Sequence, residues 1–175
     1  MWVSAVMLSW GFERRLALAL MIAGLTVALS PIFIPVGPTR ALPWQHMTNA
    51  ICGVLLGPWW SMGVAFLISL VRNMLGLGTI YAFPGSIPGA LLVGLTAILL
   101  KRIKAPAEYA AFAEPIGTAI LGFLIAFYMF TPFMGHYERW ALALTTIWFG
   151  WLASSLIGTV IGFTALMVLK RAKIL

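Results

Sequence analysis

Two short segments hold most of the side chains able to do chemistry. The first runs Pro35-Val36-Gly37-Pro38-Thr39-Arg40-Ala41-Leu42-Pro43-Trp44-Gln45-His46-Met47-Thr48-Asn49. The second runs from Arg72-Asn73 through Gly76, Gly78-Thr79, Tyr81 and Phe83-Pro84-Gly85-Ser86 to Pro88-Gly89. Their prolines and glycines forbid continuous helix. Irregular backbone at membrane depth survives only where protein or a wet cavity satisfies its N–H and C=O groups. Thr39, Gln45, His46, Asn49, Asn73, Thr79 and Ser86 offer hydrogen bonds, and Trp44, Tyr81 and Phe83 offer flat ring faces. Arg72 adds one cation. That mix suits a small aromatic solute with few or no charges.

Each feature also has a plainer reading. His46 could be an interfacial or hydrogen-bonded core histidine, Trp44 a belt anchor, and Arg72 a cation snorkelling to the outer headgroups. The glycines could serve only as turn residues. Glu114-Pro115 reads as a helix start, since proline suits the first turn and an acid the positive helix end. His136, Glu138 and Arg139 read as a solvated outer loop. The spacing of cysteine and histidine gives no metal site: Cys52 is the only cysteine, the two histidines lie far apart, and there is no Asp. A nucleophile at Ser86 with His46 or His136 would lack both a GxSxG elbow and an Asp partner.

The elements that must position these groups are membrane helices. Of 175 residues, 62% are hydrophobic and 9% charged, too few polar side chains to cover a soluble surface. The apolar runs predict an all-α integral membrane fold, a six-transmembrane-helix bundle with short loops. The spans fall at about Leu16–Ile34, Trp44–Gly57, Trp59–Leu75, Ile87–Leu100, Tyr109–Phe130 and Trp140–Leu169. The second is short for a crossing. Residues 1–13 read as an N-terminal extension, with Trp2 and Trp10 suited to the interface, and residues 14–175 as a single membrane domain.

Charge fixes the orientation. Arg14-Arg15, Lys101-Arg102 with Lys104, and Lys170-Arg171 with Lys173 all fall on one side if both termini are cytoplasmic. The same placement explains the net charge of +7 without nucleic acid. Small residues recur at Ala19 and Ala23, and along a ridge at Gly150, Ser154, Gly158 and Gly162, which lets helix backbones approach closely. The ridge reads as packing within the bundle; the first pair could serve a separate membrane partner. There is no GxxxxGK[ST] loop, so energy for transport would come from elsewhere.

Taken together, Pro35-Val36-Gly37-Pro38-Thr39, Gln45-His46-Met47 with Asn49, Gly53-Val54-Leu55-Leu56-Gly57-Pro58, Arg72-Asn73, Gly78-Thr79 and Ala82-Phe83-Pro84-Gly85-Ser86 resemble the ThiW family. These are substrate-binding S-components of energy-coupling factor transporters of the prokaryotic cell membrane. The resemblance implies a multi-pass protein with no enzymatic activity, cofactor or metal. Its implied substrate is hydroxyethylthiazole, the thiazole precursor of thiamine, bound near the outer face. It also implies docking on a transmembrane T-component driven by two ATPases, with the Ala19–Ala23 face of the first helix at the contact. Arg40 stands where the family pattern leads one to expect Lys. The alternatives are an S-component for another vitamin or precursor, a small intramembrane enzyme, and a purely structural assembly subunit.

Overall fold

The computed structural model describes residues 11–36 and 39–172. Trp2, Trp10 and Lys173, and with them most of the interfacial reading of the N-terminal extension, lie outside the described residues.

The chain is predominantly helical. Helix α1 covers Phe12–Leu29, α2 Pro43–Leu56, α3 Pro58–Met74 and α4 Ile87–Arg102. A longer helical stretch, α5, runs Ala107–Phe133. Its first seven residues, Ala107–Ala113, form a 3₁₀ helix, and it turns π-helical at Gly117–Gly122 and Ala126–Phe130. A short α6 at Tyr137–Leu142 precedes the 28-residue α7, Leu144–Arg171. Among the described residues, three stretches are long and apolar enough to cross a bilayer: Ile80–Arg102, Ala107–Phe133 and Leu144–Arg171.

The other helices depart from the apolar runs in the sequence. Helix α1 carries Glu13, Arg14 and Arg15 in its first turn. Helix α2 has 14 residues, about 21 Å at 1.5 Å per residue, short of a hydrocarbon core of about 30 Å. It survives because it is wrapped by protein: twelve of its residues are buried. The preceding segment is not wholly irregular. Ile34–Val36 (β1) and Thr39–Ala41 (β2) pair as an antiparallel ribbon, Ile34 opposite Ala41 and Pro35 opposite Arg40. Ribbon pairing satisfies the backbone groups that the prolines keep out of a helix. The all-α expectation therefore holds for the helical body and misses this ribbon.

Helix α2 sits at the centre because its neighbours carry small residues where they cross it. A Cβ on Gly158 of α7 would lie 2.3 Å from the Pro43 carbonyl oxygen and 2.6 Å from His46 Cβ. On Gly162 it would lie 2.8 Å from Ala50 Cβ. The predicted ridge on α7 is thus packing within the bundle. Between α2 and α3 the chain turns on Gly57 alone, at φ 87° and ψ 178°, a region essentially reserved for glycine. Pro58 then opens α3.

One end of the molecule joins Phe12 to Trp60 (5.4 Å between rings), Lys101 Nζ to the Val54 carbonyl (3.3 Å), and Lys170 to Glu108. The main apolar core, with Val54, Leu55, Val64, Ile68 and Val93, lies between α1, α2, α3 and α4 and takes in Ala107, Ala110 and Ala111 of α5 and Leu166 of α7. A second, aromatic cluster at the other end unites Phe123, Phe127, Trp140 and Ile147.

Candidate functional site

The first half of α2 faces four other helices with polar side chains. Gln45 and Asn49 are one turn apart, so they line one face, and His46 lies beside it at about 100° per residue. Each is buried.

The centre of the cluster is Glu114, with 0% exposure. His46 donates from Nδ1 to Glu114 Oε1 at 2.8 Å. Asn49 Nδ2 donates to the same oxygen at 3.0 Å, and Thr118 Oγ1 at 2.7 Å. Ser155 of α7 donates to Oε2. Asn49 also donates to the Ser86 carbonyl and accepts from Ser86 Oγ, both at 3.1 Å. The carboxylate therefore links α2, α5 and α7 directly, and α4 through Asn49 and Ser86. Gly89 makes room for it: a Cβ there would sit 2.6 Å from both Glu114 Oε1 and Thr118 Oγ1.

A second group lies one turn back along α2. Arg72 donates from Nη1 to Gln45 Oε1 and from Nη2 to the Leu77 carbonyl at 3.3 Å. Gln45 Nε2 donates to Ser69 Oγ (3.2 Å) and the Ala82 carbonyl (3.3 Å). Arg72 is 2% exposed, so it does not snorkel to headgroups. It turns into the bundle.

The remaining predicted residues form the rim. Asn73 Nδ2 donates to the carbonyls of Ser69 (2.7 Å) and Thr79 (3.0 Å), holding the turn after α3. The Thr79 residue itself is exposed. Trp44 donates from Nε1 to the Ile32 carbonyl at 2.7 Å, fastening the ribbon to α2. Tyr81 meets Trp140 at 4.4 Å between rings, and its hydroxyl lies 2.8 Å from His136 Nδ1. Phe83 packs on Phe66 at 5.5 Å between rings. Thr39 lies in β2, and its side chain is outside the description.

Five predicted residues thus converge: Gln45, His46, Asn49, Arg72 and Ser86. Trp44, Asn73, Thr79, Tyr81 and Phe83 surround them without joining the network. Sequence reasoning missed Glu114, Ser69, Thr118 and Ser155. Glu114 does open a short α-helical turn with Pro115, as its sequence suggests, yet its carboxylate points inward. The overlooked signal was its position as the one acid inside the fifth apolar run, since ionisable groups within spans are rare and functional by default. His136, expected to be solvated, is half-buried against Tyr81.

Ala19 and Ala23 are each 4% exposed and pack into the main core. Their small-residue face is used inside the bundle. Ala19 also floors an apolar groove of about 320 Å³ between α1 and α3, lined by Leu16, Leu20, Trp59, Trp60 and Gly63. Another groove of about 330 Å³ lies between α5 and α7 beside Phe123 and Trp148. Neither includes the polar network, whose donors close on protein acceptors except for the buried Nε–H of Arg72.

Among the described residues no group of three or more His, Cys, Asp or Glu side chains could hold a metal ion. What the network can do is recognise a small solute by exchanging internal hydrogen bonds for external ones. Comparison with curated proteins and with solved structures gives no match. The family model for the thiamine-precursor transporter protein matches residues 16–172, nearly the whole chain and all of the network, and the chain belongs to that family, ThiW.

Proposed function

We propose that the chain is the substrate-capture subunit of an energy-coupling factor importer, taking hydroxyethylthiazole from outside the cell. The observation that carries this reading is the buried polar network on α2, set in a chain of the thiamine-precursor transporter family. A chain this apolar has little reason to bury Gln45, His46, Asn49, Arg72 and Glu114 together unless the cluster binds something.

The ring nitrogen and hydroxyl of the thiazole are met by Asn49, Ser86 and His46. The ribbon, with Trp44, and the 79–86 turn act as covers, because Tyr81 and Phe83 have ring faces to lay over the solute. Hydroxyethylthiazole has about nine heavy atoms, and a ceiling of about 1.5 kcal/mol per atom allows about 13 kcal/mol, near nanomolar affinity. Six helices cross the prokaryotic cell membrane in this reading, with both termini cytoplasmic. Its support is that the start of α1 and the end of α7 lie at the end holding Trp60, Lys101 and Lys170. The T-component docks along the α1–α3 groove with Ala19 at its floor, and a pair of ATPases drives release inward.

The test is calorimetric titration of the purified chain with hydroxyethylthiazole, thiamine and unrelated vitamins. Saturable binding of the thiazole, lost in Asn49→Leu, supports the reading. Tight binding of another vitamin with none of the thiazole removes the substrate assignment.

A further inference from the structure

Arg72 is a buried cation that no acid of this chain neutralises. The chain has four acids. Glu108 pairs with Lys170, and Glu114 receives His46, Asn49, Thr118 and Ser155. Glu13 and Glu138 stand exposed in the first turns of their helices. Arg72 instead donates to two neutral oxygens, those of Gln45 and Leu77. Its Nε–H is buried with no acceptor among the described residues.

A guanidinium presents a fork of donors matched to a carboxylate or phosphate, and it is rarely desolvated without such a partner. The end of α3 offers Arg72 a partial negative charge, but an exposed lysine would serve that purpose as well. The helix end accounts neither for the complete burial nor for the unpaired Nε–H.

We infer that the solute taken by this site carries an anionic oxygen group, a phosphate monoester or a carboxylate, and that Arg72 is its receptor. This rests on the proposed thiazole reading and sharpens it. The ring contacts proposed at Asn49 and Ser86 and the cation at Gln45 are separated by the four residues from Gln45 to Asn49, a rise of about 6 Å along α2. A two-carbon side chain on a five-membered ring bridges that distance. The form held most tightly is then the one with an esterified or oxidised side chain, the free alcohol being held more weakly, and the class of reaction that supplies it is phosphorylation or oxidation of that alcohol.

The experiment titrates the purified full chain, in phospholipid-free detergent, with three probes: hydroxyethylthiazole, its phosphate monoester and the analogue bearing a carboxymethyl side chain. Arg72→Gln and Arg72→Lys are run beside the wild type, and thermal shifts with inorganic phosphate are recorded for all three proteins. The expected result is a preference of about tenfold or more for a charged probe, falling to a ratio near one in Arg72→Gln and to an intermediate value in Arg72→Lys. Equal or tighter binding of the alcohol overturns the inference, as does a preference that survives Arg72→Gln. If Arg72→Gln does not fold, an undiminished preference in Arg72→Lys also overturns it, because a lysine cannot reproduce the fork. A preference erased by added phosphatidylglycerol assigns Arg72 to a lipid headgroup and overturns it too. If no thiazole binds, the thiazole reading falls. The anion receptor then stands only if phosphate stabilises the wild type and not Arg72→Gln, and it falls otherwise.

Discussion

Removing the Glu114 carboxylate separates its two roles, acceptor and charge. In Glu114→Ala the His46 Nδ1–H and the Ser155 hydroxyl lose the acceptor that the structure gives them. Asn49 and Thr118 keep second acceptors, the carbonyls of Ser86 and Gly85. Two orphaned buried donors at about 1–3 kcal/mol each give a loss of about 2–6 kcal/mol before any cavity term. Glu114→Gln keeps an oxygen for His46, Asn49 and Thr118, and its amide can donate to Ser155 Oγ. The weakening of charge-assisted bonds is then offset by relief of a buried charge, so the net change stays within about 2 kcal/mol. For a chain of this size 1 kcal/mol corresponds to about 2–4 °C. Thermal unfolding of the purified protein should therefore show Glu114→Ala melting roughly 10 °C below wild type and Glu114→Gln shifting by less than about 8 °C, and by less than Glu114→Ala. An alanine variant as stable as wild type would refute the view that this carboxylate ties α5 to α2 and α7.

Three further outcomes follow from the same geometry. Gly89→Ala places a Cβ 2.6 Å from Glu114 Oε1 and Thr118 Oγ1, and overpacking of this kind costs about 1–3 kcal/mol, read as a lower melting temperature. Gly158→Ala, whose Cβ would meet the Pro43 carbonyl at 2.3 Å, should push the start of α2 away from α7 and weaken ligand binding more than Gly24→Ala, where the Cβ meets nothing within 4 Å. Trp44→Phe removes the 2.7 Å bond to the Ile32 carbonyl while keeping a ring face, at about 1 kcal/mol, and hydrogen exchange in residues 32–44 should quicken.

Much of this was legible from residue types. A glycine–proline pair at 57–58 announced the tight turn between α2 and α3, and the 150–162 ridge announced close packing. That Gln45, His46 and Asn49 gather buried partners was readable because polar side chains entering an apolar run need them. The partners were harder to see. Glu114 is 65 residues from Asn49 and stands beside a proline, so the local helix-start signal masked its long-range role. Arg72 near a helix end looks identical in sequence whether it snorkels outward or folds inward; packing around Gln45 decides it. Pairing of β1 with β2 overrode the expectation of irregular chain because ribbon hydrogen bonds run between two short strands, invisible to helical periodicity. The Ala19–Ala23 spacing marks a close-packing face, and in the structure both residues pack into the main core; periodicity alone does not say which neighbour such a face meets.

The central claim is that the solute sits against α2 and not in either apolar groove. A thiazole carrying a small diazirine, photolysed on the purified protein and mapped by mass spectrometry, tests it directly. The account predicts labelling within 43–56 and 79–89, suppressed by excess unlabelled thiazole. Competable labelling confined to Leu16, Leu20 and Trp59–Leu67, or to Ile120, Leu124 and Trp148, would contradict it.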